Sequence, residues 1–244
     1  MTLYLLSEYF YDIIFIVTIL ERVYSRGTHL QKGRNRMASK YTSEMIKLIR
    51  NIQNIDYIPP ESIPEIDLYM DQITTFMDEY LNSSKRFADD KILTKTMINN
   101  YTKNDLLPPP DKKKYSKEHM ILLIFIYYFK NFLTINDVKG IISPISKIFF
   151  QQKDGINLDK IYREVFETQL ENIDSQVRDM IRKLNKSNET FSEVEDEEER
   201  KILTNFSFIC MLSFDIWVKK TIIENIIDHK MDTKPSKKKE PSDI

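Results

Sequence analysis

The sequence predicts an all-α protein. Three observations carry that reading. Apolar residues recur at steps of three and four through most of the chain, no stretch alternates apolar and polar residues for the length of a convincing strand, and only 4 of the 244 residues are glycine. Hydrophobic residues make up 41%, enough to build a core, and charged residues 30%, which suits a surface-rich helical chain. Ile, Lys, Asn, Tyr and Phe stand where alanine is scarce, and their A/T-rich codons predict a low-GC bacterial genome.

The elements follow in order. Residues 3–20 are apolar, but Glu8 and Asp12 interrupt them, so no stable membrane insertion is expected. No basic start or small-residue cleavage site marks a signal peptide. Gly33-Arg34 can be encoded by a ribosome-binding sequence just before Met37, so residues 1–36 are read as an over-extended start. Residues 43–52 read as a helix with Met45, Ile46, Ile49 and Ile52 on one side, broken by the prolines that follow. Ile66, Tyr69, Ile73, Phe76, Met77 and Tyr80 predict an amphipathic helix from about 65 to 81. Thr94 is placed to cap a helix whose inward side is Leu93, Met97, Ile98 and Tyr101, with Asn104-Asp105 as a left-handed stop before Pro108, Pro109 and Pro110. Ser116 is placed to cap a helix carrying "MILLIFIYYF" (120–129), apolar on every side and therefore central. A short helix from Thr134 is expected to end at Ile142, before Pro144.

From Leu158 to Lys186, Phe166, Leu170, Ile173, Val177, Met180 and Leu184 are spaced 4, 3, 4, 3, 4. This heptad seam fits a long helix packed within its own chain or a coiled coil joining two subunits. The acidic run 189–200 should loop before a last core helix over about 199–228, holding Ile202, Leu203, Phe206, Ile209, Trp217, Ile222 and Ile226. The tail 231–244 reads as disordered. A short ribbon around Lys112 to Tyr115 is the only strand expected.

The single cysteine, Cys210, excludes an intrachain disulfide and fits a reducing cytoplasm. His29, His119 and His229 lack metal-motif spacing, and no phosphate-cradling glycine loop, nucleophile elbow or C-x-x-C occurs. No cofactor, metal or catalytic set can be named, so an enzyme is not expected.

A net charge of −1 conceals a separation. From Lys91 to Lys117 seven lysines face two aspartates, a net of +5, whereas from Gln151 to Arg200 eight bases face fourteen acids, a net of −6. Such an arrangement directs a polyanion to one end. Lysines release counterions on meeting phosphates, and asparagine can pair with adenine in the major groove. A helix offering Asn99 and Asn100 between Lys95 and Lys103, followed by "PPPDKKKY" as a rigid wing, has both kinds of side chain. Each part taken alone also fits a solvated loop, exposed polarity, or (for Tyr101 and Tyr115) packing.

The order of the parts adds to this. "TKTMINNYTKNDLLPPPDKKKYSKEHMILLIFIYYFKNFLTINDVKGII" (94–142) resembles the winged helix-turn-helix of MerR-type transcription regulators. The likeness lies in Tyr101, in Leu106-Leu107-Pro108, in the basic wing ending at Tyr115, and in the run Leu133 to Val138. It is more similar still to an uncharacterised domain-of-unknown-function family of low-GC Gram-positive bacteria with this MerR-like element, over roughly residues 65–145. The resemblance implies DNA contact by Lys95, Thr96, Asn99, Asn100 and Lys103, and backbone contact by Lys112, Lys113, Lys114 and Tyr115. It also implies homodimerisation through C-terminal helices. The family's recognition-helix arginine and turn glycine are replaced by Asn99 and Asp105, and the link from Leu81 to Thr94 is longer than a standard turn.

The expected organisation is therefore a doubtful extension (1–36), a helical region with a MerR-like winged helix-turn-helix (37–150) and a C-terminal helical dimerisation region (151–230). The expected function is a cytoplasmic, homodimeric regulator binding double-stranded DNA. The alternative is a helical protein-interaction module without DNA binding.

Overall fold

The structure, a computed structural model, describes residues 43–49, 51 and 57–231. The expected extension, the start at Met37 and the tail from 232 onward lie outside the described residues. Residues 43–49 are helical, as their apolar spacing predicts.

From residue 57 to 231 the chain is mostly helical. A 3-10 turn (Pro60–Ser62) leads to strand β1 (Leu68–Tyr69), followed by helices α1 (Met70–Tyr80) and α2 (Lys95–Lys103). Strand β2 (Lys114–Tyr115) comes next, then α3 (Lys117–Lys130), α4 (Ile135–Phe149), α5 (Leu158–Asn188) and α6 (Glu197–Ile226), which runs into a π-helical turn (Ile227–Met231). The two strands pair antiparallel, with Leu68 opposite Tyr115 and Tyr69 opposite Lys114.

α3 is the centre. Residues Met120 to Ile124 and Ile126 are buried to within 1%. A helix apolar on all sides can be satisfied only by neighbours on all sides. α1 brings Ile73 and Met77, α2 brings Ile98 and Tyr101, α4 brings Val138 and Ile142, and the first turns of α5 bring Leu158 and Tyr162. The Tyr162 hydroxyl donates to the Ile58 carbonyl at 2.6 Å, tying α5 to the start of the domain. Burial pushes that phenol's pKa far above its ordinary value.

Two expected boundaries are corrected. The first helix begins at Met70, not near 65, because Leu68 and Tyr69 pair with β2, and this leaves Ile66 exposed. Helix α4 does not stop before Pro144 but continues to Phe149. Proline removes one backbone hydrogen bond, yet the apolar face continues beyond it through Ile145 and Phe149, which pack on the core.

α5 and α6 form an antiparallel hairpin of 31 and 30 residues, each about 45 Å long at 1.5 Å per residue. Within the expected heptad seam, Val177 and Leu184 are buried where α5 packs on α6, joined by Ile181 and Ser187. Lys183 bridges Asp179 on its own helix and Asp215 on α6. Phe166 rests on Tyr57 and Tyr162, Ile173 and Met180 are half-buried, and Leu170 is exposed. The return end of α6 touches the domain again, with Ile223 and Ile227 packing on the core and the Ile227 Cγ2 lying 3.2 Å from where a Cβ on Gly140 would be.

The last helix differs most from its expectation as a core helix. Only Thr204 and Phe208 are buried along it, while Ile202, Phe206, Ile209, Trp217, Ile222 and Ile226 are exposed. A helix apolar around most of its circumference needs more than one neighbour, and along most of its length α5 covers only one side.

Candidate nucleic-acid interface

The site is built on α2. Thr94 caps it, its Oγ1 accepting from the Met97 N–H at 3.1 Å. Ile98 and Tyr101 are turned inward and buried. With a period of 3.6 residues, that orientation leaves Lys95, Thr96, Asn99, Asn100 and Lys103 on the outer face, and all five are exposed.

The helix ends in a Schellman stop. Asp105 takes a φ of 55°, the Leu106 N–H donates to the Tyr101 carbonyl at 2.9 Å and the Asp105 N–H to the Thr102 carbonyl at 3.2 Å. Leu106 and Leu107 are then buried. Lys139 of α4 donates to the Asn104 carbonyl at 2.6 Å, fixing the far end of α2.

The connection between α1 and α2, residues 81–94, is anchored at its two ends and at Ser84. Leu81, Ile92 and Leu93 are buried, the Ser84 hydroxyl meets that of Tyr127, and the Lys130 ammonium donates to the Ile92 carbonyl at 2.6 Å. Burial pushes the Lys130 pKa down. The long link is thus held to α3 through Tyr127 and Lys130, while most of residues 82–91 stay exposed.

The wing is a four-residue turn. The Lys114 N–H donates to the Asp111 carbonyl at 2.7 Å, and Lys112 and Lys113 occupy its two central positions with φ of 47° and 66°. Positive φ at both central positions is the type I′ pattern, a conformation favoured by Asn-Gly and disfavoured by side chains such as lysine. Both lysines are exposed.

Wing and helix meet on the first turn of α1. Lys95 pairs with Asp71, and Lys114 lies 5.4 Å from the ring centre of Tyr69. Tyr69 and Asp71 are two residues apart, so the start of α2 and the base of the wing adjoin the same turn. This brings eight of the nine expected residues onto exposed or half-exposed positions. Tyr115 is the exception and is corrected here. It is 3% exposed, its ring lying edge-on to His119 at 5.4 Å, so it supports the wing from inside and cannot present its ring to a ligand.

His119 is a residue whose role the sequence did not reveal. Its Nδ1 accepts from the Ser116 N–H at 3.0 Å, completing a capping box in the place usually held by Glu or Gln. That assigns the ring proton to Nε2, which is buried on the side of the Pro108 and Pro109 carbonyls and makes no hydrogen bond of ordinary geometry to them. Burial pushes the imidazole pKa down, so the ring is held neutral.

Together the outer residues of α2 and the tip of the wing make an exposed face of lysine, asparagine and threonine side chains. Among the described residues no group of three or more His, Cys, Asp and Glu is placed to hold a metal, and no helix is long and apolar enough to cross a membrane. Residues 58–165 match the model of a domain of unknown function (DUF1836). The DUF1836 match thus takes in the ribbon, α1 to α4 and the first turns of α5, and stops before most of the hairpin. No curated protein and no solved structure matches the chain.

Proposed function

We propose that this chain is a sequence-specific, DNA-binding transcription regulator, acting as a homodimer. In this reading α2 reads the major groove and the Lys112–Lys114 wing grips the neighbouring backbone, as in a MerR-like winged helix-turn-helix. The observation that supports it most is the junction on α1, where an exposed amide-and-lysine helix face and a lysine-tipped turn lie next to each other. The two parts divide the work. Asn99 and Asn100 discriminate bases, whereas Lys95, Lys103, Lys112, Lys113 and Lys114 supply affinity that falls steeply with salt.

The experiment is selection on a randomised DNA library with two variants. Asn99→Ala is expected to change the preferred sequence, and Lys113→Ala to weaken binding to all sequences alike. Identical behaviour of the two variants would refute the division. A second reading, a protein-interaction module without DNA binding, draws support from the exposed apolar residues of α6. It predicts no retention of the full chain on duplex DNA at physiological salt, together with co-purification of a protein partner.

A further inference from the structure

We infer that the outer face of α6 seats a second copy of this chain, the two α6 helices lying antiparallel about Ile209. Ile202, Phe206, Ile209, Ser213 and Ile216 follow one another at steps of 4, 3, 4, 3, a heptad stripe on the side of α6 opposite Thr204 and Phe208. Trp217 and Phe214 widen it. Among the described residues nothing covers this stripe.

Its area is what a dimer needs. The six large apolar side chains are each between 58% and 66% exposed. With aromatic side chains offering some 150–250 Å² each, they present roughly 700 Å² per copy, close to the ~800 Å² per partner of a standard interface. A monomer rarely keeps a contiguous apolar patch of that size in water. On its Phe214 side the stripe runs into a groove of about 620 Å³ between α5 and α6, lined by Cys210 and Met211 and also by Arg182, Lys183, Lys186 and Asp215.

Charge chooses the occupant and its direction. α6 begins with Glu197, Glu198 and Glu199 and carries Lys219 and Lys220 beyond the stripe. The acids suit the helix N-terminus by themselves; Lys220 pairs with Glu224 on its own helix at 3.6 Å, and Lys219 is exposed. With a two-fold axis at Ile209, Lys219 and Lys220 of one copy fall beside Glu199 and Glu198 of the other. Ile202 then opposes Ile216, and Phe206 falls opposite Leu212, one residue from the small Ser213. Parallel pairing would instead set acids against acids and lysines against lysines. The apolar residues 3–20 of the same chain carry Glu8 and Asp12 and no base, so they offer nothing to the acidic end.

The inference shares with the proposed function only the dimeric state, and DNA retention is a separate readout. The full chain is expected to sediment as a dimer at tens of micromolar. Ile209→Asp is expected to raise the dissociation constant roughly 100-fold or more while leaving the circular dichroism unchanged, because the side chain lies on the monomer's surface. In a Cys210→Ser background, a Glu199→Cys protein mixed with a Lys220→Cys protein should be joined by a short bismaleimide, and neither should be joined to itself. A monomeric wild type, a dimer indifferent to Ile209→Asp, or self-linking of each single-cysteine protein would overturn the pairing. A monomer that still bound DNA would overturn it while sparing the DNA-reading role of α2.

Discussion

Replacing Lys112 and Lys113 by Asn and Gly separates what the wing does for the fold from what it does for a ligand. Both lysines sit at left-handed φ, 47° and 66°, in a turn closed by a 2.7 Å hydrogen bond. A side-chain-bearing residue held there costs about 1–2 kcal/mol relative to glycine, and Asn tolerates the region better than Lys. The double variant Lys112→Asn/Lys113→Gly should therefore be more stable by about 1–2 kcal/mol, with a midpoint higher by roughly 2–8 °C. It also removes two charges that, in the proposed reading, grip phosphates, so the slope of log affinity against log salt should fall by about 1.8. Lys112→Ala/Lys113→Ala serves as the control, since it loses the same charges and keeps the backbone strain. The assays are urea unfolding and fluorescence anisotropy with a labelled duplex over a salt series. A double variant no more stable than wild type would refute the strain argument, and one that binds DNA with an unchanged salt slope would refute the wing's grip. The expected outcome, higher stability with weaker binding, is the trade-off a functional site imposes on its fold.

Three further outcomes test the frame around the site. Thr94→Ala removes the cap of α2 and should lower stability by about 1 kcal/mol, whereas Thr94→Ser should restore most of it; equal loss in both would deny the cap its role. Ile98→Ala leaves a hole beneath the reading face and should cost about 2–5 kcal/mol in urea unfolding; a loss under 1 kcal/mol would mean that α2 is not anchored there. His119 has its pKa pushed below the ordinary 6.5 by burial, so the unfolded chain binds its proton first as pH falls. Stability from this group is full above about pH 6.5 and declines as pH drops from there through the folded-state value. His119→Gln, which keeps a capping acceptor, should flatten that part of the pH profile, and an unchanged decline would place the titration elsewhere.

Much of the site was legible because local rules agreed there. Thr94, the inward Ile98 and Tyr101, and the stop at Asn104-Asp105 all point to the helix that forms, and the all-apolar run of α3 could only be central. Legibility failed where tertiary contacts overruled local ones. Leu68 and Tyr69 fit a helical period but pair with β2, a partner more than forty residues away in sequence. Pro144 reads as a stop, yet packing of Ile145 and Phe149 carries α4 past it. Tyr115 has the composition of a wing and the burial of a core residue, and only its contact with His119 decides between them. The stripe on α6 was misread for a different reason. Residues that face a core and residues that would face a second subunit have the same composition, so periodicity alone cannot assign the neighbour.

The contact of Ile227 with Gly140 makes the hairpin a ruler. Because α6 is fastened near Ile223 to the core that carries α2, fourteen residues or about 21 Å of rigid helix separate that anchorage from Ile209. Two copies joined at Ile209 would hold their anchor points about 42 Å apart, somewhat more than the ~34–36 Å turn that spaces half-sites on one side of a duplex. Sliding one α6 along the other by one heptad would change that span by about 10 Å, the rise of some three base pairs. The length of an arm that never touches DNA would thus be written into the spacing of the sequence that is read.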